Sequence, residues 1–136
     1  MRPFGLERIE HVLLLVDGMR PALEFYEKVL GARVESRLLQ YGMAELRVGE
    51  SHLDLVDTSV PEGAWARPPV EGGRNVDHIA IRVDANDRTL RSHLAAHGVA
   101  IVEERVENDA GEKRLSLYVR DPSKNVIELM GVRFGG

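Results

Sequence analysis

Apolar positions along the chain follow two different periods. In residues 9–16, Val12, Leu14 and Val16 alternate with His11, Leu13 and Leu15. In residues 76–83, Ile79, Ile81 and Val83 alternate with His78, Ala80 and Arg82. Runs of this kind predict strands, whose successive side chains point to opposite faces. Arg82 is a poor residue to place under a helix, so the Ile79 row is expected to face the core and His78 the opposite side. The period then changes. Ala22, Phe25, Tyr26, Val29 and Leu30 share one face of a helix over 19–30, and Leu90 and Leu94 share one over 86–97. Asn86 or Asp87 can cap the second helix, and Gly31 and Gly98 stand where left-handed C-terminal glycines belong. Three strand-like runs follow each helix, over 33–39, 43–48 and 51–57, and over 100–106, 114–120 and 125–130. Val48-Gly49-Glu50-Ser51 reads as a hairpin turn. Asp121-Pro122-Ser123-Lys124-Asn125 reads as a turn in which Pro122 fixes φ and Asn125 tolerates a positive one. The charged stretch 103–114, broken at Asn108-Asp109-Ala110-Gly111, reads as a hairpin loop able to cover a site.

The two halves are copies. Glu10-His11 and a closing Val16-Asp17 match Asp77-His78 and Val83-Asp84, and His11 to His78 is 67 residues. Leu30-Gly31-Ala32-Arg33-Val34 matches His97-Gly98-Val99-Ala100-Ile101 at the same spacing of 67. A repeat of supersecondary size decides the fold class. We expect an α+β protein of two βαβββ modules in tandem, at 8–57 and 76–131, within a single domain 1–136. Each module is a curved mixed sheet with one helix on its outer face. The Pro- and Gly-rich stretch 58–75 reads as the linker, its Trp65 packing on something nearby.

Equivalent positions then carry equivalent chemistry. On the last run of each module Leu53 and Leu55, and Ile127 and Leu129, are expected in the core. That places His52, Asp54 and Val56, and Val126, Glu128 and Met130, on the other face. A curved sheet would set the first and last strands of a module facing each other across a hollow. His11, Asp54, His78 and Glu128 would then converge as two imidazoles and two carboxylates, a donor set suited to Zn, Ni, Co, Mn or Fe(II). Open coordination positions would make such an ion a Lewis acid. The fourth place is contested, because Asp is short and His52 stands two residues away. His93 and His97, four apart on a helix, lack a third donor and read as surface residues.

Composition narrows the partners. The chain has 136 residues, 43% hydrophobic and 29% charged, as a globular domain does. A net charge of −4 and 5% aromatics argue against nucleic acid and leave a small-molecule substrate. The absence of cysteine excludes disulfides and protein thiolate chemistry and fits the cytoplasm. The first eight residues have no signal-peptide pattern, and the longest apolar run, 12–16, is too short for a bilayer.

The segments Ile9-Glu10-His11-Val12, Phe25-Tyr26-Glu27-Lys28-Val29-Leu30-Gly31, Val76-Asp77-His78-Ile79-Ala80-Ile81 and Tyr118 to Leu129 (YVRDPSKNVIEL) resemble the vicinal oxygen chelate superfamily. It includes glyoxalase I, methylmalonyl-CoA epimerase, fosfomycin-resistance thiol transferases, extradiol dioxygenases and bleomycin-binding proteins. The resemblance spans residues 8–131. It implies one metal ligand on the first strand and one on the last strand of each module, matching His11, His78 and Glu128. Asp54 occupies the place of Glu in glyoxalase-like and Gln in epimerase-like members. Four donors imply a lyase or isomerase in which the metal chelates vicinal oxygens and stabilises an enediolate, with Glu128 as the base. A His11/His78/Glu128 triad alone implies a thiol transferase or, with His52 or Tyr118 as acid–base group, a dioxygenase. Arg114, Arg120 and Lys113 are the cations available for the former. A metal-free antibiotic binder is the remaining alternative. The resemblance also implies a homodimer, and each complete site draws its two modules from one chain or from two.

Overall fold

The computed structural model describes residues 7–71 and 76–135. Strand β1 (His11–Val16) leads into helix α1 (Met19–Leu23), then β2 (Arg33–Leu38), β3 (Met43–Val48) and β4 (Ser51–Asp57). Strand β5 (Ile79–Arg82), helix α2 (Asp87–Ala96), β6 (Glu103–Asp109), β7 (Glu112–Arg120) and β8 (Val126–Val132) repeat the order. This is the expected pair of βαβββ modules. Each forms a four-stranded mixed sheet, ordered β1-β4-β3-β2 and β5-β8-β7-β6.

That order corrects one expectation. The first and last strands of a module do not face each other across a hollow. They are hydrogen-bonded parallel neighbours, with His11 beside His52 and Ala80 beside Glu128. The crossover through the helix returns the chain antiparallel twice, so the last strand meets the first side by side. The second sheet is nonetheless curved. Arg82 on one edge of the second sheet reaches Asp109 on the opposite edge, with nitrogen–oxygen distances of 2.7 and 3.2 Å. Its guanidinium crosses Gly131, where any Cβ would lie 2.8 Å from Nη1.

The rows point as the alternation requires. Val12, Leu14, Val16, Leu53, Leu55, Ile79, Ile81, Ile127 and Leu129 belong to one core drawn from both modules, with Phe25 and Leu94 from the two helical segments. Burying such side chains contributes roughly 1.5–3 kcal/mol each. Ala80 and Arg82 lie on the exposed face of the second sheet.

The first helix differs from a simple α-helix. After Leu23 it widens into a π-helical stretch, Glu24–Val29. A wider turn carries successive residues through a smaller angle, so Phe25 and Tyr26 both point inward, their rings edge to face at 5.0 Å. Residue 18 contributes no side-chain cap to α1. Asp57 at the end of β4 does so from a distance, accepting from the backbone N–H of Gly18 (3.0 Å) and of Met19 (2.8 Å). Burial pushes the Asp57 carboxyl up, but bonds from Ser59, Met19 and Gly18 outweigh it and hold it below its usual range. The second helix begins as expected, with the Asn86 side chain accepting from Thr89 N–H at 2.9 Å. Gly31 and Gly98 take φ of +82° and +70°.

The stretch 103–114 is not a loop. It is the continuation of β6 and β7 into a hairpin paired as far as Asp109–Glu112, turning on Ala110 and Gly111 at φ of +55° and +88°. Charges on an exposed edge strand imitate the polarity of a loop. In the turn at 121–125 the positive φ belongs to Lys124, at +72°, not to Asn125. Asn125 is buried, its amide donating to Leu15 O at 3.1 Å and to Asp121 at 2.8 Å. The linker holds a short turn at Pro61–Gly63, and exposed Trp65 donates to Tyr41 O at 2.9 Å. Gly72, Gly73 and residues 1–6 of the N-terminal reading lie outside the described residues. No helix among the described residues is long and apolar enough to cross a membrane.

Candidate metal centre

The two equivalent faces each carry one imidazole–carboxylate pair. On the first sheet, Asp54 is set diagonally from His11 across the parallel β1–β4 pairing, and His11 Nε2 lies 3.7 Å from Asp54 Oδ2. Asp54 is buried and His11 is half exposed. Burial raises the Asp54 pKa, the charge of His11 opposes it, and the neighbouring charge of Glu45 adds to the rise. Glu45 stands directly across the β3–β4 rung from Asp54 and accepts a hydrogen bond from Ser36. Alternation along β3 puts Glu45 on the same face as Asp54, but only the strand register brings the two together.

His52 takes a different place. It lies between Glu10 (3.6 Å) and Glu35 (3.5 Å). The distances assign the pairing with His11 to Asp54 instead.

On the second sheet the pair is tighter. His78, one residue before β5, places Nε2 2.9 Å from Glu128 Oε1. Its Nδ1 is 2.7 Å from Asp77 Oδ2. That bond to Asp77 raises the His78 pKa, burial opposes it, and Glu128 adds to the rise. An imidazole held at Nδ1 by a carboxylate presents Nε2 as a strengthened donor, the arrangement common behind metal-bound histidines. The Tyr118 ring stands edge-on to His78 at 5.4 Å. Tyr118 stands directly across the β7–β8 rung from Glu128, and burial followed by the neighbouring Glu128 carboxylate raises its pKa. Arg105 lies over the same ring at 5.9 Å. Ser116, also absent from the sequence reading, donates to Glu128 Oε2 at 2.7 Å.

Among the described residues, no three histidine or acidic side chains gather closely enough to hold a metal ion. One chain therefore presents His11 with Asp54, and His78 with Glu128, as two separate pairs rather than the single convergent set expected. The reason lies in how the modules join. Tyr26 donates to Asp121 (2.7 Å), Asp17 N–H to Ser123 (2.8 Å), and a His93 ring nitrogen lies 2.7 Å from Val29 O. These contacts join the modules through the helices and the 121–125 turn, and neither imidazole–carboxylate pair takes part in them. A cleft of about 640 Å³ between the helical segments, lined by Phe25, Val29, His97 and Arg120 among others, includes neither pair. Arg114 and Arg120 are occupied by Glu112 (2.6 Å) and Glu71 (3.1 Å). The His93 and His97 rings lie 4.6 Å apart, tilted at 52°, and both residues are on the surface.

Imidazole nitrogen and carboxylate oxygen in each half are donor types that suit a divalent ion, and on the second sheet Asp77 and Ser116 hold His78 and Glu128 from behind.

Comparison with known proteins agrees with the duplicated architecture. The chain is 29% identical over 125 residues to the virulence protein STM3117 of Salmonella typhimurium, covering 91% of this chain and 83% of that one. It is 25% identical to the glyoxalase domain-containing protein RDO1 of Mycosarcoma maydis, covering 94% of this chain and 70% of that one. Among solved structures it superposes on the fosfomycin resistance protein FosX of Listeria monocytogenes with a TM-score of 0.71 at 16% identity, covering 94% and 92% of the two chains. That protein was solved with Mn(II) and 1S,2S-dihydroxypropylphosphonic acid. It superposes on lactoylglutathione lyase of Agrobacterium tumefaciens with a TM-score of 0.68 at 21% identity, covering 96% of each chain. Residues 8–129 match the family described as the Glyoxalase/Bleomycin resistance protein/Dioxygenase superfamily, and with its two βαβββ modules the chain belongs to that superfamily.

Proposed function

We propose that the protein is a divalent-metal-dependent lyase or isomerase of glyoxalase type, working as a homodimer on a small substrate. The observation that carries the reading is the placement of one imidazole–carboxylate pair at equivalent positions of each sheet, His11 with Asp54 and His78 with Glu128. Each pair is half of a four-donor set. In a two-fold dimer the first sheet of one copy faces the second sheet of its partner, and two equivalent complete sites arise. His11, Asp54, His78 and Glu128 would hold an ion there, which when bound would supply Lewis-acid charge to the oxygens of the substrate.

The protein groups then have distinct tasks. His78 is oriented by Asp77, and the Tyr118 ring packs against it. Glu128, buried and within reach of the centre, takes the proton α to the carbonyl and returns it to the adjacent carbon. Asp54, buried beside Glu45, completes the donors on the other side. The wider His11–Asp54 separation of 3.7 Å favours one alternative, a His11/His78/Glu128 triad with Asp54 outside the coordination sphere.

The test is metal titration followed by turnover. Protein purified without chelator is expected to bind about one Zn, Ni, Co or Mn ion per chain, since each two-fold site belongs to one chain on average. It is then expected to isomerise a methylglyoxal–thiol hemithioacetal when loaded. Absence of metal uptake overturns the reading. Metal uptake without hemithioacetal turnover removes the glyoxalase chemistry and leaves the metal centre.

A further inference from the structure

We infer that Ser116 is a positioning residue that aims Glu128 at the metal ion, an inference resting on the metal-centre reading above. Three observations carry it. First, Ser116 is 1% exposed in the middle of β7, on the same side of the strand as Tyr118. Second, it binds the outer oxygen of Glu128: Oγ to Oε2 is 2.7 Å, while Oε1 is 2.9 Å from His78 Nε2. The carboxylate is thus held at both ends, its plane fixed and one oxygen directed at the imidazole. Third, the backbone is shaped for this contact. The pairing steps from Leu115–Val132 to Leu117–Leu129, so Met130 and Gly131 together oppose Ser116 alone. This bulge, with Gly131 at φ +78°, sets Ser116 beside Glu128 instead of on a regular rung.

Glu107 on β6 strengthens the assignment. Its Oε2 lies 3.2 Å from the same Ser116 oxygen. A hydroxyl has one hydrogen, and the shorter contact takes it, so the bond to Glu128 prevails over the one to Glu107. Charge-assisted bonds of this kind are about twice as strong as neutral ones, enough to hold a ligand oxygen in one orientation.

The experiment compares wild type, Ser116→Ala and Ser116→Thr by Co(II) titration, reading both affinity and the visible ligand-field spectrum. Loss of a hydrogen bond behind a metal ligand typically costs 10- to 100-fold in affinity, and that range is expected for Ser116→Ala, with an altered spectrum. Ser116→Thr, which keeps the hydroxyl, is expected to restore both. Wild-type affinity and spectrum in Ser116→Ala, or failure of threonine to rescue, overturns the inference while the metal centre stands. Absence of Co(II) binding by the wild type overturns the metal centre and the inference together.

Discussion

Replacing Glu128 with glutamine is expected to lower metal-dependent turnover by about 10²- to 10⁴-fold while the fold persists. Glutamine has nearly the same shape, and its carbonyl still accepts from Ser116. It loses the charge that attracts the ion and the basicity that removes a proton. Glu128 is 5% exposed, so no water molecule readily takes over the position of its carboxylate. Glutamine leaves no cavity, and the partner His78, about a third exposed, can turn to water for its charge, so circular dichroism and the thermal midpoint are expected to stay near wild type. The reaction is followed on the hemithioacetal with added Ni, Co or Zn. Turnover within tenfold of wild type would remove Glu128 from the chemistry.

A second large effect lies outside the centre. Asp121→Ala is expected to destabilise the protein by about 3–4 kcal/mol, measured by urea denaturation. The buried carboxylate accepts from Tyr26 Oη (2.7 Å), Ser123 N–H (2.9 Å), Asn125 N–H (2.8 Å) and Asn125 Nδ2 (2.8 Å). Alanine removes the shared acceptor and leaves the donors buried without it. The same knot joins the modules, since Tyr26 comes from the first and Asn125 reaches back to Leu15. Burial raises the Tyr26 pKa and the nearby Asp121 charge raises it further, so the phenol remains a donor to Asp121 throughout the working range. Asp84→Ala, which breaks only an exposed pairing with Arg133, is expected to change stability by less than about 1 kcal/mol. Equal losses in both variants would deny Asp121 its special role.

These two residues also mark what was legible in the sequence. Glu128 was placed correctly by simple alternation, because Ile127 and Leu129 must face the core and the residue between them cannot. His78 followed from Arg82 in the same way, and His11 from the repeat. The 121–125 turn was recognisable as a turn. Its role as a clasp was not, because Tyr26 stands 95 residues from Asp121 and no local pattern links them. Strand order was misjudged for a related reason. Periodicity reports which face a residue takes but not which strand is its neighbour, so β1 and β4 were expected opposite one another and are adjacent. Ser116 was hidden by the bulge, since a register shift changes who touches Glu128 without altering the alternation of β7. The hairpin at 103–114 is legible as a hairpin, but its charge hides that the arms are paired strands. The proposed meeting of the two pairs has no signature in the sequence, because it would depend on a surface between copies rather than on the pattern within one.

That meeting has a direct test which needs no substrate. His11→Ala and Glu128→Ala chains, each expected to bind Co(II) poorly alone, are co-expressed and the mixed dimer isolated. If a site takes its first sheet from one copy and its second from the other, one site of the mixed dimer carries both defects and the other none. The mixed dimer is then expected to recover about one tight Co(II) site per dimer, with the wild-type visible spectrum. Two impaired sites and no recovered spectrum would mean that each centre draws both halves from one chain, contrary to the arrangement proposed.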